Sequence, residues 1–277
     1  MREIGNSRVF FSFFLILVNL VDDVSWRLLD VEFDNPFFDM AIEEAVLTFV
    51  GKKTVPTTIR FWRAKNAIFI GRFQCYEYEV NLELCRKHDV KIVRRFTGGG
   101  AVYHDIGNLN YSIFLHKAHP LIQAENPDLI DPMIFGLGII RGLKKLNIEA
   151  NLLNEGAIGV KGLKISGTAR SLRKGAYLHH GSLLINSDLD FLQKVLQGKQ
   201  RDADKKCLYS KKSPVTSIEH ELGKKMSIIK VKEALKTAFE EVFNMKLNPS
   251  QLTNDELRLA KRLFDEKYAS NDWHFQR

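Results

Sequence analysis

From residue 26 onward, apolar positions recur with a period of about two or about 3.6, and the alternation of the two predicts a mixed α/β order of elements. Residues 26–31 read as a strand. Asn35 and Pro36 then open a helix, because an Asn side chain accepts from free helix N–H groups and Pro suits the first turn. Met40, Ala41, Ala45 and Val46 share one side of it. Residues 57–62 and 67–71 read as two strands separated by a polar turn, residues 78–88 as a short helix carrying Leu82 and Leu84, and residues 90–93 as the next strand. A helix over 132–146 places Ile134, Leu137, Ile140 and Leu143 on one face. A tight hairpin follows, from 157–160 through Lys161 and Gly162 to 163–166, then a strand over 176–186 and a short helix over 189–196. Residues 198–214, rich in Lys, Asp and Ser, read as a mobile loop or linker. An amphipathic helix over 227–243 repeats Ile228, Val231, Leu235, Ala238 and Val242. Thr253 and Glu256 form a capping-box pattern for a last helix through Leu257, Ala260 and Phe264, with Trp273 and Phe275 docking the end.

The stretch that interrupts this pattern most is Arg94-Arg95-Phe96-Thr97-Gly98-Gly99-Gly100-Ala101-Val102-Tyr103-His104-Asp105. Lying between apolar β-prone segments, it reads as a strand, a glycine turn and a returning strand. Glycine lets backbone N–H groups close on an anion, and the arginines add full positive charge beside them, so the stretch suits phosphate. It matches neither the P-loop nor the G-x-G-x-x-G pattern. Lys164 follows a tight turn and alternates with Ile165, a spacing that by itself predicts a solvated lysine. His179 and His180 are adjacent in a strand and point to opposite faces, which excludes a two-histidine metal clamp. Asp105 reads as a turn cap.

Composition narrows this further. The 277 residues, 45% hydrophobic, suffice for one large domain, residues 26–277. Forty-one Lys and Arg against 33 Asp and Glu give a net charge of +8, favouring anionic ligands or acidic partners. No helix-turn-helix, zinc finger or aromatic RNA-binding signature accompanies that charge, which argues against nucleic acid. Three widely spaced cysteines, Cys75, Cys85 and Cys207, suggest a reducing, cytoplasmic setting with no disulfide framework and no structural zinc. Residues 1–25 form an apolar extension that reads as a signal, an extra packed element or an over-extended start; a membrane role is disfavoured because its apolar run is short.

Five ordered blocks carry a resemblance to the lipoate-protein ligase family: Phe38-Asp39-Met40-Ala41-Ile42-Glu43-Glu44-Ala45, Ile70-Gly71-Arg72-Phe73-Gln74, the central stretch through Asn110, Lys164-Ile165-Ser166-Gly167 and His180-Gly181-Ser182-Leu183-Leu184. The resemblance implies an α/β (α+β) fold of the class II aminoacyl-tRNA synthetase and biotin-ligase type, a mixed sheet with packed helices. It implies ATP-dependent activation of lipoate to lipoyl-AMP with Mg²⁺, and transfer to a lysine of lipoyl-domain acceptors, namely 2-oxoacid dehydrogenase acyltransferase subunits and the glycine cleavage H protein. Carried over residue by residue, Lys164 is the catalytic lysine touching phosphate and acyl carbonyl. Arg95, Gly100, Ala101, Val102 and Tyr103 match the adenylate and phosphate positions. Arg72 is placed with lipoate, with the residues near Phe73 and Val102 as walls of the acyl slot. No carboxylate cluster marks a metal site.

Two departures stand out. An Asn-Asp pair that the family often carries before the lysine hairpin falls here on Gly156 and Ala157, with Asn154 and Glu155 two residues early. The long ligases also continue into an accessory domain, so an accessory domain on a separate polypeptide is an expected partner. The same fold serves octanoyl or lipoyl transferases that work through a cysteine acyl intermediate, a chemistry that needs a thiolate near the lysine. Residues 144–163 hold no cysteine, and Cys207 lies in the charged loop. A non-catalytic lipoyl-binding protein is the third reading.

Overall fold

The computed structural model describes residues 25–122, 133–153, 156–198 and 207–276; the expected extension over 1–25 lies almost wholly outside them, as do Asn154 and Glu155. In chain order the strands are β1 (Ser25–Asp30), β2 (Thr58–Trp62), β3 (Ala67–Ile70), β4 (Lys91–Arg94), β5 (Val102–His104), β6 (Asn108–His116), β7 (Asn151–Leu152), β8 (Ile158–Val160), β9 (Leu163–Arg173), β10 (Ala176–Leu184) and β11 (Lys246–Ser250). The helices that position the site are α1 (Pro36–Gly51), α2 (Tyr76–Glu79), α3 (Leu82–Lys87), α4 (Met133–Lys145), α5 (Leu189–Val195), α6 (Ile218–Leu222), α7 (Ile228–Phe243), α8 (Asn254–Leu263) and α9 (Asn271–His274).

The strands form a large mixed sheet, ordered β11-β1-β2-β6-β10-β9-β8-β7, and a small sheet ordered β4-β3-β5. In the large sheet β1 runs parallel to β11 and β2, whereas β6, β10 and β9 are antiparallel neighbours. Alternation along the central strands supplies two cores. Leu28, Ile59 and Phe61 face α4 and α7, while Leu29 and Trp62 face α1 and α8. This is the expected α/β architecture with helices packed on a mixed sheet.

Local signals behave as their chemistry dictates. Asn35 caps α1 through its Oδ1, which accepts from Phe37 N and Phe38 N at 3.0 and 3.2 Å. The β8–β9 turn is made by Lys161 and Gly162, both at positive φ (51° and 82°). Thr253 and Glu256 form the reciprocal capping box of α8, and Glu256 also holds the buried Arg27 of β1 in a two-point ion pair.

Three expectations are corrected. The glycine stretch does not join a hairpin, because β3 lies between β4 and β5 and pairs with both. Helix α4 turns its Phe135, Ile139 and Leu143 side inward and leaves Ile134, Leu137 and Ile140 half-buried. The reason is that Gly138 and Gly142 admit Phe239 and Leu235 of α7, and a Cβ at either would come within 2.2 and 2.6 Å of them. Finally, Cys75 and Cys207 form a disulfide: folding brings their Cα atoms to 5.6 Å although 132 positions separate them, a proximity no spacing rule could reveal.

Burial also makes stability pH-dependent. His104 and His179 are pushed down to about 3 and His119 to about 4, each by desolvation first. His179 lies against Phe135 and Tyr111, and neither of its ring nitrogens meets a hydrogen-bond partner among the described residues. The unfolded chain takes up these protons near pH 6.5 and the folded chain does not. Stability is therefore full above that value and falls as pH drops toward 4, by up to about 1.4 kcal/mol per pH unit for each histidine. Urea unfolding should show a clearly lower midpoint at pH 5 than at pH 7.5; equal midpoints contradict the assignment.

Candidate active site

Where the small sheet rests on the large one, two adjoining cavities of about 430 and 440 Å³ open. Lys164, Ala101, Val102 and Ser210 line both. The first cavity has an apolar floor of Met40, Trp62 and Phe69, edged by His104 and His180. The second is walled by Leu184, Leu192, Leu196 and Val215. Both fall within the size range of small-molecule sites.

The glycine turn forms the shared wall. Gly99 has φ +89°, a conformation costly for any side-chain-bearing residue. Arg95 braces the turn from beneath: Nη2 donates to Gly98 O and Gly100 O, both at 2.7 Å, Nη1 to Phe69 O at 2.8 Å, and Nε to Thr97 Oγ1 at 3.1 Å. Burial lowers it to about 10, so the guanidinium remains charged at neutral pH. Arg95 thus tethers the turn across β3 and places a buried positive charge behind its N–H groups.

That brace is continuous with a buried chain of hydrogen bonds. Glu43 Oε2 meets His180 Nδ1 at 3.4 Å and accepts from Ser112 Oγ at 2.8 Å, while Glu43 Oε1 accepts from Arg60 Nη1 at 3.1 Å. Burial raises the Glu43 carboxyl, but His180, Arg60 and Ser112 together hold it below the ordinary carboxylate value. With Nδ1–H directed at Glu43, His180 Nε2 accepts from Thr97 Oγ1 at 2.9 Å, and Thr97 Oγ1 accepts from Arg95 Nε. Thr97→Val keeps the shape and removes the link. It should cost about 1–3 kcal/mol in urea unfolding, with Thr97→Ser close to the parent; equal stability of the Val and Ser forms contradicts the chain of bonds.

Lys164 enters from the second hairpin. Its neighbour Ile165 is fully buried, and the backbone of Lys164 bonds to a strap over residues 207–216: Lys164 N donates to Pro214 O and Thr216 N to Lys164 O, both at 2.9 Å. Its side chain lies over Gly167, where a Cβ would come within 2.8 Å of Cε. The expected solvated lysine is therefore a lining residue of both cavities. The described part of residues 198–214 carries no helix or strand, as a loop reading expects, and it packs onto the turn.

Of the residues singled out from the sequence, Lys164, Arg95, Gly100, Ala101 and Val102 line the first cavity, and Tyr103 lines the second. Arg72 lines neither. Its guanidinium stacks on Trp273, 4.3 Å from the ring centroid, and Phe73 is 46% exposed. The neighbouring Arg94 holds this region in place by donating to Gly71 O, Gln74 O and Trp273 O. Ala157, at the position where the resemblance implies an Asn-Asp pair, lines the first cavity. Asp105 caps as expected, accepting from Gly107 N and Asp188 N. Thr97, Glu79 and Ser210 were not anticipated, and only Thr97 carried a signal, by its place beside the glycines. Among the described residues no group of three or more His, Cys, Asp or Glu side chains is arranged to hold a metal ion, and no helix is long and apolar enough to cross a membrane.

The chain is similar to several known proteins. A lipoate-protein ligase A subunit 1 from Thermoplasma acidophilum is 32% identical over 87% of this chain and 92% of its own. The octanoyltransferase LipM of Bacillus subtilis is 29% identical over 91% of this chain and 99% of its own. A crystal structure of lipoate-protein ligase A bound with ATP superposes with a TM-score of 0.76 at 29% identity, covering 91% of this chain and 99% of that one. The family model for the lipoyl protein ligase A/B catalytic domain matches residues 35–240, so the chain belongs to that family.

Proposed function

We propose that the chain is an ATP-dependent lipoate-protein ligase, forming lipoyl-AMP and passing the lipoyl group to a lysine of a lipoyl-domain acceptor. The observation that carries this reading is the pairing of Lys164 with the Arg95-braced glycine turn around cavities that no cysteine lines. Cys75 and Cys207 are joined to each other, and Cys85 is buried with its thiol pushed up to about 11. In this structure the two thiols nearest the turn are joined to each other, whereas charge suited to an anionic reaction lines the cavities.

In the first step a lipoate carboxylate oxygen attacks the α-phosphorus and pyrophosphate leaves. Two anions must meet, so the residues work by neutralising charge rather than by taking a proton. Lys164 reaches both cavities and so can contact the phosphate and the acyl carbonyl together. The turn offers N–H groups, and Arg95 holds their geometry from behind. In the second step the acceptor amine attacks the acyl carbonyl carbon, the bond to AMP breaks and the amine loses a proton. Mg²⁺ would accompany ATP and neutralise phosphate charge. The acceptors remain those the resemblance implies, and the "subunit 1" of the Thermoplasma relative supports a separate accessory polypeptide here.

The test is pyrophosphate release on mixing the protein with ATP, Mg²⁺ and lipoate, with and without a candidate accessory polypeptide. Lipoate-dependent release supports the ligase. The LipM relative motivates a second reading, octanoyl transfer from an acyl carrier protein without ATP. Such transfer, abolished in Cys207→Ser, would replace the ligase reading.

A further inference from the structure

The strap over residues 207–216 is fastened at both ends. Near one end Leu208 N donates to Phe73 O at 2.9 Å and Leu208 bridges Gln74; near the other the strap bonds to the backbone of Lys164. Between them Ser210 sits on the glycine turn. Its Oγ accepts from Ala101 N at 2.7 Å and from Gln74 Nε2 at 3.0 Å, and donates to Glu79 Oε2. Ser210 N donates to the other oxygen of Glu79 at 3.0 Å. Glu79 is 1% exposed, and the strap presses so closely that a Cβ on Gly100 would lie 2.9 Å from Ser210 Oγ.

Ala101 N–H is one of the donors the turn would offer a phosphate, and Ser210 occupies it. The disulfide joins Cys207, three positions before Ser210, to Cys75, the neighbour of Gln74. A covalent tie thus holds the strap beside the residues that receive it.

We propose that Cys75 and Cys207 are a redox latch on the nucleotide site. As a disulfide the pair keeps Ser210 on the Ala101 N–H and the turn closed to phosphate; as thiols they let the strap lift. This rests on the nucleotide reading above. Closing the latch needs a low-molecular-weight disulfide: the two cysteine thiols lose two protons and two electrons, their S–S bond forms, and the reagent's S–S bond breaks to give two thiols. A thiol reductant reverses the exchange.

The latch is tested on the full chain, equilibrated with oxidised or with reduced glutathione. Thiol titration in denaturant should find one free thiol after oxidation and three after reduction; three in both overturns the proposal. Amide exchange over residues 207–216 should be about tenfold slower in the oxidised protein. Cys75→Ser should exchange at the reduced rate in both conditions. Equal exchange in oxidised and reduced parent protein overturns the latch whether or not nucleotide binds. ATP titration should show about tenfold weaker binding to the oxidised form, the scale set by about 1.4 kcal/mol for one contested hydrogen-bond donor. Tighter or equal ATP binding when oxidised overturns the latch as a control on nucleotide. If ATP binds neither form while exchange responds to oxidation, the nucleotide reading fails, and with it the control proposed here, although the strap is still tied.

Discussion

Lys164→Ala is expected to lower lipoate-dependent pyrophosphate release by about 10²–10³-fold while the protein stays folded, since one donor aimed at developing charge is worth about 2.7–4 kcal/mol in a water-poor site. The architecture separates the two effects. The contacts of Lys164 with Pro214 and Thr216 are made by its backbone and survive truncation. The lost atoms are those that lie over Gly167 and face both cavities. Melting temperature should move by less than about 3 °C. Lys164→Arg should recover little, because the bulkier guanidinium must pass the same narrow space above Gly167. Full release by the alanine form would remove Lys164 from the chemistry.

Arg95→Lys should fail on both counts. Lysine keeps the charge and loses the fork, so it cannot reach Phe69 O, Gly98 O, Gly100 O and Thr97 Oγ1 together. Buried carbonyls left without donors cost about 1–3 kcal/mol each, and a loss of about 3 kcal/mol in urea unfolding is expected, with pyrophosphate release down by more than about tenfold. Parent-like stability would show that the turn holds its shape unaided. Lys164 is thus expected to act on charge and Arg95 on the geometry of the N–H groups in front of it.

What the sequence reveals divides along the range of the interactions. The Asn35 cap, the Lys161-Gly162 turn, the Thr253 and Glu256 box and the opposed faces of His179 and His180 each depend on neighbours within a few residues, and all are found as read. The insertion of β3 between β4 and β5 depends on pairing across tens of residues, which no local period encodes. The inward face of α4 depends on where Phe239 and Leu235 of α7 fall. The resemblance puts Arg72 with lipoate; in the fold its guanidinium stacks on the ring of Trp273, about two hundred positions away, a contact no local pattern encodes. Ser210, Glu79 and the disulfide share this origin. Their residues look incidental until the strap is laid across the turn.

The adjacent arginines at the end of β4 also bear on how that strand keeps its pairing. Arg94, opposite Ile70 in β3, spends its donors on carbonyls near the chain end and on the loop after β3, and Arg95 spends its own on the glycine turn. A slip of β4 by one residue would exchange their directions and strand two guanidiniums in a dry interior at once. In the folded chain the doublet therefore opposes a one-residue shift of β4, because leaving two buried guanidiniums without these partners costs several kcal/mol.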